Sequence, residues 1–175
     1  MSHILVLYST TDGHTRLICE RLNERLQRSG HMVTLVDIRD DPDIDAEGFD
    51  KIVVGASIRY GRHSPLIAAF IKKHHGTVER KPNAFFSVNL VARKPDKNRP
   101  ETNPYLQRFL RRIPWKPQNL AVFAGKLDYP SYRLLDRLLI RLIMAVTGGP
   151  TDPSAVVEFT NWEDVDDFGR LIGEM

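Results

Sequence analysis

The chain has 175 residues, 42% hydrophobic and 27% charged, which fits one compact domain over 1–175 and excludes a disordered or collagen-like polymer. A net charge of +3 and a pI near 9.1 suit an anionic partner: a phosphate, a carboxylated substrate, a membrane surface or nucleic acid. One cysteine, Cys19, excludes an intramolecular disulfide, and its place in a helical pattern makes it a core thiol.

The first apolar run, Ile4-Leu5-Val6-Leu7-Tyr8, is short and continuous, as a strand buried on both faces must be. It starts without a signal-peptide pattern, and no apolar stretch reaches the ~18 residues that span a bilayer, so the sequence predicts a cytoplasmic protein. A turn rich in Ser, Thr, Asp and Gly follows. Leu17, Ile18, Leu22 and Leu26 then recur at helical spacing until Gly30 stops the helix. Further strands are predicted at Met32 to Val36, Ile52 to Ala56, Ala84 to Val88 and Leu120 to Phe123. Between the third and fourth, Ser64-Pro65 caps a helix whose apolar face is Leu66, Ile67, Phe70 and Ile71. Strands alternating with helices imply right-handed crossovers and a doubly wound parallel α/β sheet. Ligands bind such sheets beyond the carboxyl ends of the strands, here on the loops after Tyr8, Ala56, Val88 and Phe123.

The first of these loops, Ser9-Thr10-Thr11-Asp12-Gly13-His14-Thr15, brings hydroxyls and successive backbone amides to a helix start, an arrangement for phosphate or for a plain cap. It lacks both the P-loop lysine and the three-glycine dinucleotide fingerprint, which argues against ATP and NAD. The second, Gly55-Ala56-Ser57-Ile58-Arg59-Tyr60-Gly61-Arg62-His63, has glycines for close backbone approach and Ile58 and Tyr60 to lie on a flat ring or cover the sheet edge. The third is Ser87-Val88-Asn89-Leu90-Val91-Ala92-Arg93-Lys94, where Asn89 either faces the site or caps a turn.

Thr10-Thr11-Asp12-Gly13-His14-Thr15 resembles the phosphate loop of the flavodoxin family, with Asp12 and His14 as departures. That resemblance implies a five-stranded sheet of order 2-1-3-4-5 holding flavin mononucleotide (FMN). The phosphate would lie on Ser9 to Thr15, and the ring on Ala56 to Gly61 and on Ser87, Val88, Asn89 and Leu90. A carboxylate repels phosphate, so Asp12 is expected to point away and cap the helix.

Longer runs carry a narrower resemblance. Gly55 to Gly61, Ser87 to Pro95, Tyr129-Pro130, Tyr132-Arg133, Leu142-Ile143-Met144 and Gly148-Gly149 are similar to the flavodoxin-type, quinone-dependent protoporphyrinogen IX oxidases of bacterial haem biosynthesis. The resemblance implies oxidation of protoporphyrinogen IX through FMN, with menaquinone or ubiquinone as acceptor and peripheral contact with the inner face of the cell membrane. It also implies a helical insertion interrupting the fifth strand, residues 125–154. In that insertion Arg133, Arg137 and Arg141 form a stripe on an otherwise apolar helix. Such a helix lies in a membrane interface with arginines toward headgroups, or packs on its own domain or a second subunit with arginines solvated. Arg59, Arg62, Arg93, Lys94, Lys97 and Arg99 are candidate partners for the substrate's propionates, or else solvated loop charges.

No side chain is assigned as catalytic; His63, alone near a helix start, fits a structural role. Three alternatives stay open: an electron carrier, although carriers of this type are usually acidic; an NAD(P)H:quinone reductase; and a flavin-free module, although no nucleic-acid motif is present.

Overall fold

In the computed structural model, which describes all residues from Met1 to Met175, five parallel strands run in the order β2-β1-β3-β4-β5. They are β1 (His3–Ser9), β2 (Met32–Asp37), β3 (Lys51–Ser57), β4 (Asn83–Asn89) and β5 (Asn119–Ala124). The three inner strands are buried almost throughout, so their near-continuous apolar runs follow from having helices on both faces. Period-two alternation divides their side chains between two layers. Leu5, Leu7, Ile52, Val54 and Phe85 face α2 (Pro65–Lys73), α3 (His75–Arg80) and α4 (Pro104–Leu110). Ile4, Val6, Val53, Ala84 and Phe86 face α1 (His14–Arg28) and α6 (Trp162–Glu174).

α1 buries Ile18, Cys19, Leu22 and Leu26, while Leu17, predicted on the same face, is exposed. Burial pushes the Cys19 thiol well up, as a core cysteine requires. The Ser64 hydroxyl accepts from the Leu66 amide and Pro65 opens α2. Gly55 serves the core rather than a ligand. It pairs with Phe86 across the sheet, and a Cβ there would collide with the Phe86 ring.

The structure adds α4 and α6, both started by asparagine caps, Asn103 and Asn161. It also changes the end of the sheet. After β5 the chain forms β6 (Lys126–Asp128) and α5 (Leu134–Thr147), then returns as β7 (Val156–Glu158). β7 pairs antiparallel with β6 and does not resume β5 alongside β4. The insertion therefore has a ribbon of its own and a small core of Leu127, Tyr129, Tyr132 and Met144.

Candidate functional site

Four segments meet at the carboxyl edge of the sheet: the loops after β1, β3 and β4, and the inserted helix. Gly13 precedes α1 in the left-handed region, φ 84°, where a side chain would be strained. Its amide donates to the Thr10 hydroxyl at 3.0 Å. No side chain caps α1 and no acid sits in its first turn, so the positive end of the helix dipole is open. Beside it the Ser9 and Thr15 hydroxyls are buried without hydrogen-bond partners. Open amides and orphaned hydroxyls at a helix start fit an anionic group such as phosphate.

The departures from the phosphate loop have structural jobs. Contrary to the expectation, Asp12 neither caps α1 nor turns away from the site: it faces the cleft beside these loops, and its Oδ2 accepts from the Arg59 guanidinium at 3.2 Å. His14 points back into the domain, its Nε2 2.6 Å from Thr160 Oγ1, which itself donates to the Ala124 carbonyl. With that hydroxyl proton committed, Nε2 is the donor and the buried Nδ1 is a bare acceptor. Burial holds the His14 pKa below its ordinary value, so the ring is neutral.

After β3, Arg59 and Arg62 exchange backbone hydrogen bonds of 2.9 and 3.1 Å around Tyr60 and Gly61, both at positive φ (49° and 74°). This is the geometry of a tight hairpin turn, for which Gly61 is suited and Tyr60 is strained. The strain is offset at the side chain: the Tyr60 hydroxyl donates to Asp136 Oδ1 on α5, and Arg59 Nη2 donates to Asp136 Oδ2 at 2.6 Å. The Tyr60 hydrogen bond, helped by Arg59, holds the Asp136 carboxyl below the usual range. Arg59 thus ties the β1 loop, through Asp12, to the inserted helix, through Asp136.

After β4 the polar side chains are consumed internally. Asn89 accepts from the Ala92 amide (3.0 Å) and from Asn103 (3.1 Å), and donates to Ser87 (3.2 Å). Ser87 in turn lies 2.8 Å from His63 Nε2. His63 is buried against Phe85 and Phe109, and burial lowers its pKa to about 3. It is a neutral strut.

Between these loops and α5 lies a cleft of about 570 Å³, within the range of small-molecule sites. Of the expected residues, Thr10, Thr11, Asp12, His14, Thr15, Ser57, Ile58, Arg59, Tyr60 and Gly61 line it. So do Val88, Asn89, Leu90 and Arg93. Ser9 and Arg62 border a neighbouring hollow with Arg39 on the β2 side. Gly13 shapes the loop, while Ala56 and Ser87 are buried beneath it. Lys94, Lys97 and Arg99 sit on the turn-rich stretch after β4, outside the cleft.

The wall the motifs did not indicate comes from α4 and the insertion: Tyr105, Arg108, Lys126, Tyr132, Asp136, Leu139, Ile140, Ile143 and Met144. One sequence signal pointed there, an isolated acid, Asp136, on a helix otherwise apolar and basic. The arginine stripe is also corrected. Arg137 donates to the Tyr129, Pro130 and Tyr132 carbonyls, and Arg141 to that of Thr151. Both guanidinium groups pin the insertion to itself, and of the three only Arg133 lacks such a bond. Arg93 likewise donates to the Leu90 carbonyl and to Thr147 at the end of α5.

A family model described as a flavodoxin domain matches residues 5–154. The chain is 43% identical over 171 residues to the quinone-dependent protoporphyrinogen IX dehydrogenase of Escherichia coli (strain K12), covering 98% of this chain and 94% of that protein. A protein of the same name from Leishmania major is 45% identical over 165 residues, covering 94% of this chain and 71% of that one. Oxidised flavodoxin 1 from Bacillus cereus superposes with a TM-score of 0.54 at 12% identity, over 99% of this chain and 98% of the other, a likeness of fold.

Proposed function

We propose, from the premise that this chain belongs to the flavodoxin-domain family and within it to the quinone-dependent protoporphyrinogen IX dehydrogenases, that it oxidises protoporphyrinogen IX and delivers the electrons to a quinone. The observation that carries this is the match over 98% of the chain, which takes in the inserted helix walling the cleft. The cofactor is FMN, and it supplies the redox chemistry when bound.

The residues present suit that group. The open amides of α1, with Ser9, Thr10, Thr11 and Thr15, would hold the phosphate. The segments Ser57 to Gly61 and Val88 to Leu90 would hold the ring, through backbone groups after β4 because the Ser87 and Asn89 side chains are already bonded. Asp136 fixes Tyr60 and Arg59 at the edge of the cleft, while Leu139, Ile140 and Ile143 exclude water from its far side. No side chain is assigned as a base. His63 and His14 are buried and neutral, and Asp12 and Asp136 are held by Arg59.

The test is anaerobic mixing of FMN-loaded protein with protoporphyrinogen IX. Flavin bleaching that reverses with a menaquinone or ubiquinone analogue, as porphyrin fluorescence rises, is expected. Bleaching by NADPH but not by the porphyrinogen would assign the chain to the quinone reductases instead.

Peripheral contact with the cytoplasmic face of the cell membrane belongs to the same proposal. No helix is long and apolar enough to cross a membrane. Yet α5 exposes Leu135 and Val146 at 80% and 79%, with Leu134, Leu138 and Leu142 beside them. So large an apolar face suits an interfacial helix. Leu135→Ser with Leu142→Ser should abolish co-sedimentation with anionic vesicles and spare turnover of a water-soluble quinone. If the same variant instead dissolves a dimer seen by sedimentation, the face pairs two copies of the chain.

A further inference from the structure

Protoporphyrinogen IX is a dicarboxylate, so an uncommitted cation on the cleft would complement it. Four cationic side chains line the cleft: Arg59, Arg93, Arg108 and Lys126. Three are already engaged. Arg59 pairs with Asp12 and Asp136, and Arg93 donates to the Leu90 carbonyl and to Thr147. Lys126 pairs with Asp128 at 3.0 Å. Arg108 alone makes no ion pair and no side-chain hydrogen bond; it is exposed at the mouth of the cleft.

Its neighbours define a slot. Arg108 follows Tyr105 by three residues on α4, so the two share a face of that helix. Tyr105 reaches the Tyr60–Gly61 turn, its Cε1 3.7 Å from where a Cβ on Gly61 would lie. Across the same cleft Leu139 and Ile143, four residues apart, share a face of α5. One side is therefore aliphatic and the other aromatic with a cation at its rim. An apolar tetrapyrrole macrocycle, puckered at its tetrahedral bridging carbons and carrying acids along one edge, has that complement of surfaces.

We infer that Arg108 is the anchor for a propionate of the tetrapyrrole and a specificity-determining residue of the cleft, a role that rests on the function proposed above. Guanidinium suits the task because it pairs with carboxylate in a fork of parallel hydrogen bonds. Arg108 departs from the expectation from sequence, which offered Arg59, Arg62, Arg93, Lys94, Lys97 and Arg99 for this role. Arg59 and Arg93 are already bonded, and the other four stand outside the cleft.

The test compares the FMN-loaded wild type, Arg108→Gln and Arg108→Lys, using protoporphyrinogen IX and its dimethyl ester. Arg108→Gln should raise the KM for the diacid about five-fold, as befits an exposed charged pair, with kcat and the quinone KM unchanged. Arg108→Lys should recover most of that loss. The ester should show one raised KM with wild type and Arg108→Gln alike, because the anchored charge is gone from the ligand. A wild-type KM for the diacid in Arg108→Gln, or equal losses on diacid and ester, would overturn the assignment. If the wild type oxidises neither compound while its flavin is reduced by NADPH, the activity itself fails and the anchor with it.

Discussion

The sheet and the insertion are held together by different physics. Two layers of 18 and 15 buried residues clamp the five strands, whereas the insertion has a core of only four. It is secured instead by side chains reaching polar groups: Arg137 and Arg141 on carbonyls, Tyr129 on the Pro150 carbonyl, Arg93 on Thr147, and Arg59 with Tyr60 on Asp136. Apolar burial makes the sheet a rigid platform for the loops. Polar fastening predicts an insertion that opens locally at lower cost than the sheet.

The largest effect should come from cutting the two cores separately. Phe86→Ala should cost about 3–5 kcal/mol in urea unfolding, because a buried ring leaves a cavity between β3, β4 and α6. Met144→Ala, equally buried, should barely move the global midpoint and should instead speed hydrogen exchange along α5. Equal losses of global stability would mean that sheet and insertion unfold as one unit.

A smaller effect concerns the strut beneath the loops. Below pH 6.5 the unfolded chain takes up a proton at His63 that the folded chain refuses until about pH 3. Folding stability therefore falls as the pH drops through that window, by about 1.4 kcal/mol per pH unit at most. His63→Gln should flatten that slope between pH 4 and 6; an unchanged slope would show that His63 is already charged in the native state. The smallest effect is expected from Asp136→Asn, which keeps a partner for Tyr60 and removes the charge facing Arg59. It should raise exchange in α5 and weaken FMN binding a few-fold while leaving the sheet amides as protected as before. Unchanged exchange in α5 would assign the fastening to the arginine–carbonyl contacts alone.

The same contrast decides what could be read from the residues. Ile4 to Leu7, Val53 and Phe85 are legible because continuous apolar runs have one inexpensive solution, a strand covered on both faces. In the β1 loop the start of α1 after Gly13 is legible, whereas its hydroxyls suit a helix cap as well as a phosphate and only the folded chain shows that no side chain caps α1. Arg137 and Arg141 were not, since an arginine facing lipid and one facing a carbonyl look alike in sequence. What Asp12 and Asp136 pair with was opaque for a related reason: their partner, Arg59, is 47 and 77 residues away. Arg108 stands out only once the other cations in the cleft are seen to be occupied.

The most direct test of this division of labour replaces residues 129–155 with a short Gly-Ser turn closing the β6–β7 ribbon, then measures bound FMN and porphyrinogen-to-quinone turnover on the same sample. The sheet and its β1 loop should still retain the flavin, more weakly, while quinone-linked oxidation of protoporphyrinogen IX is lost. Undiminished turnover without the inserted helix would contradict the account, because the sheet loops alone would then suffice for the reaction.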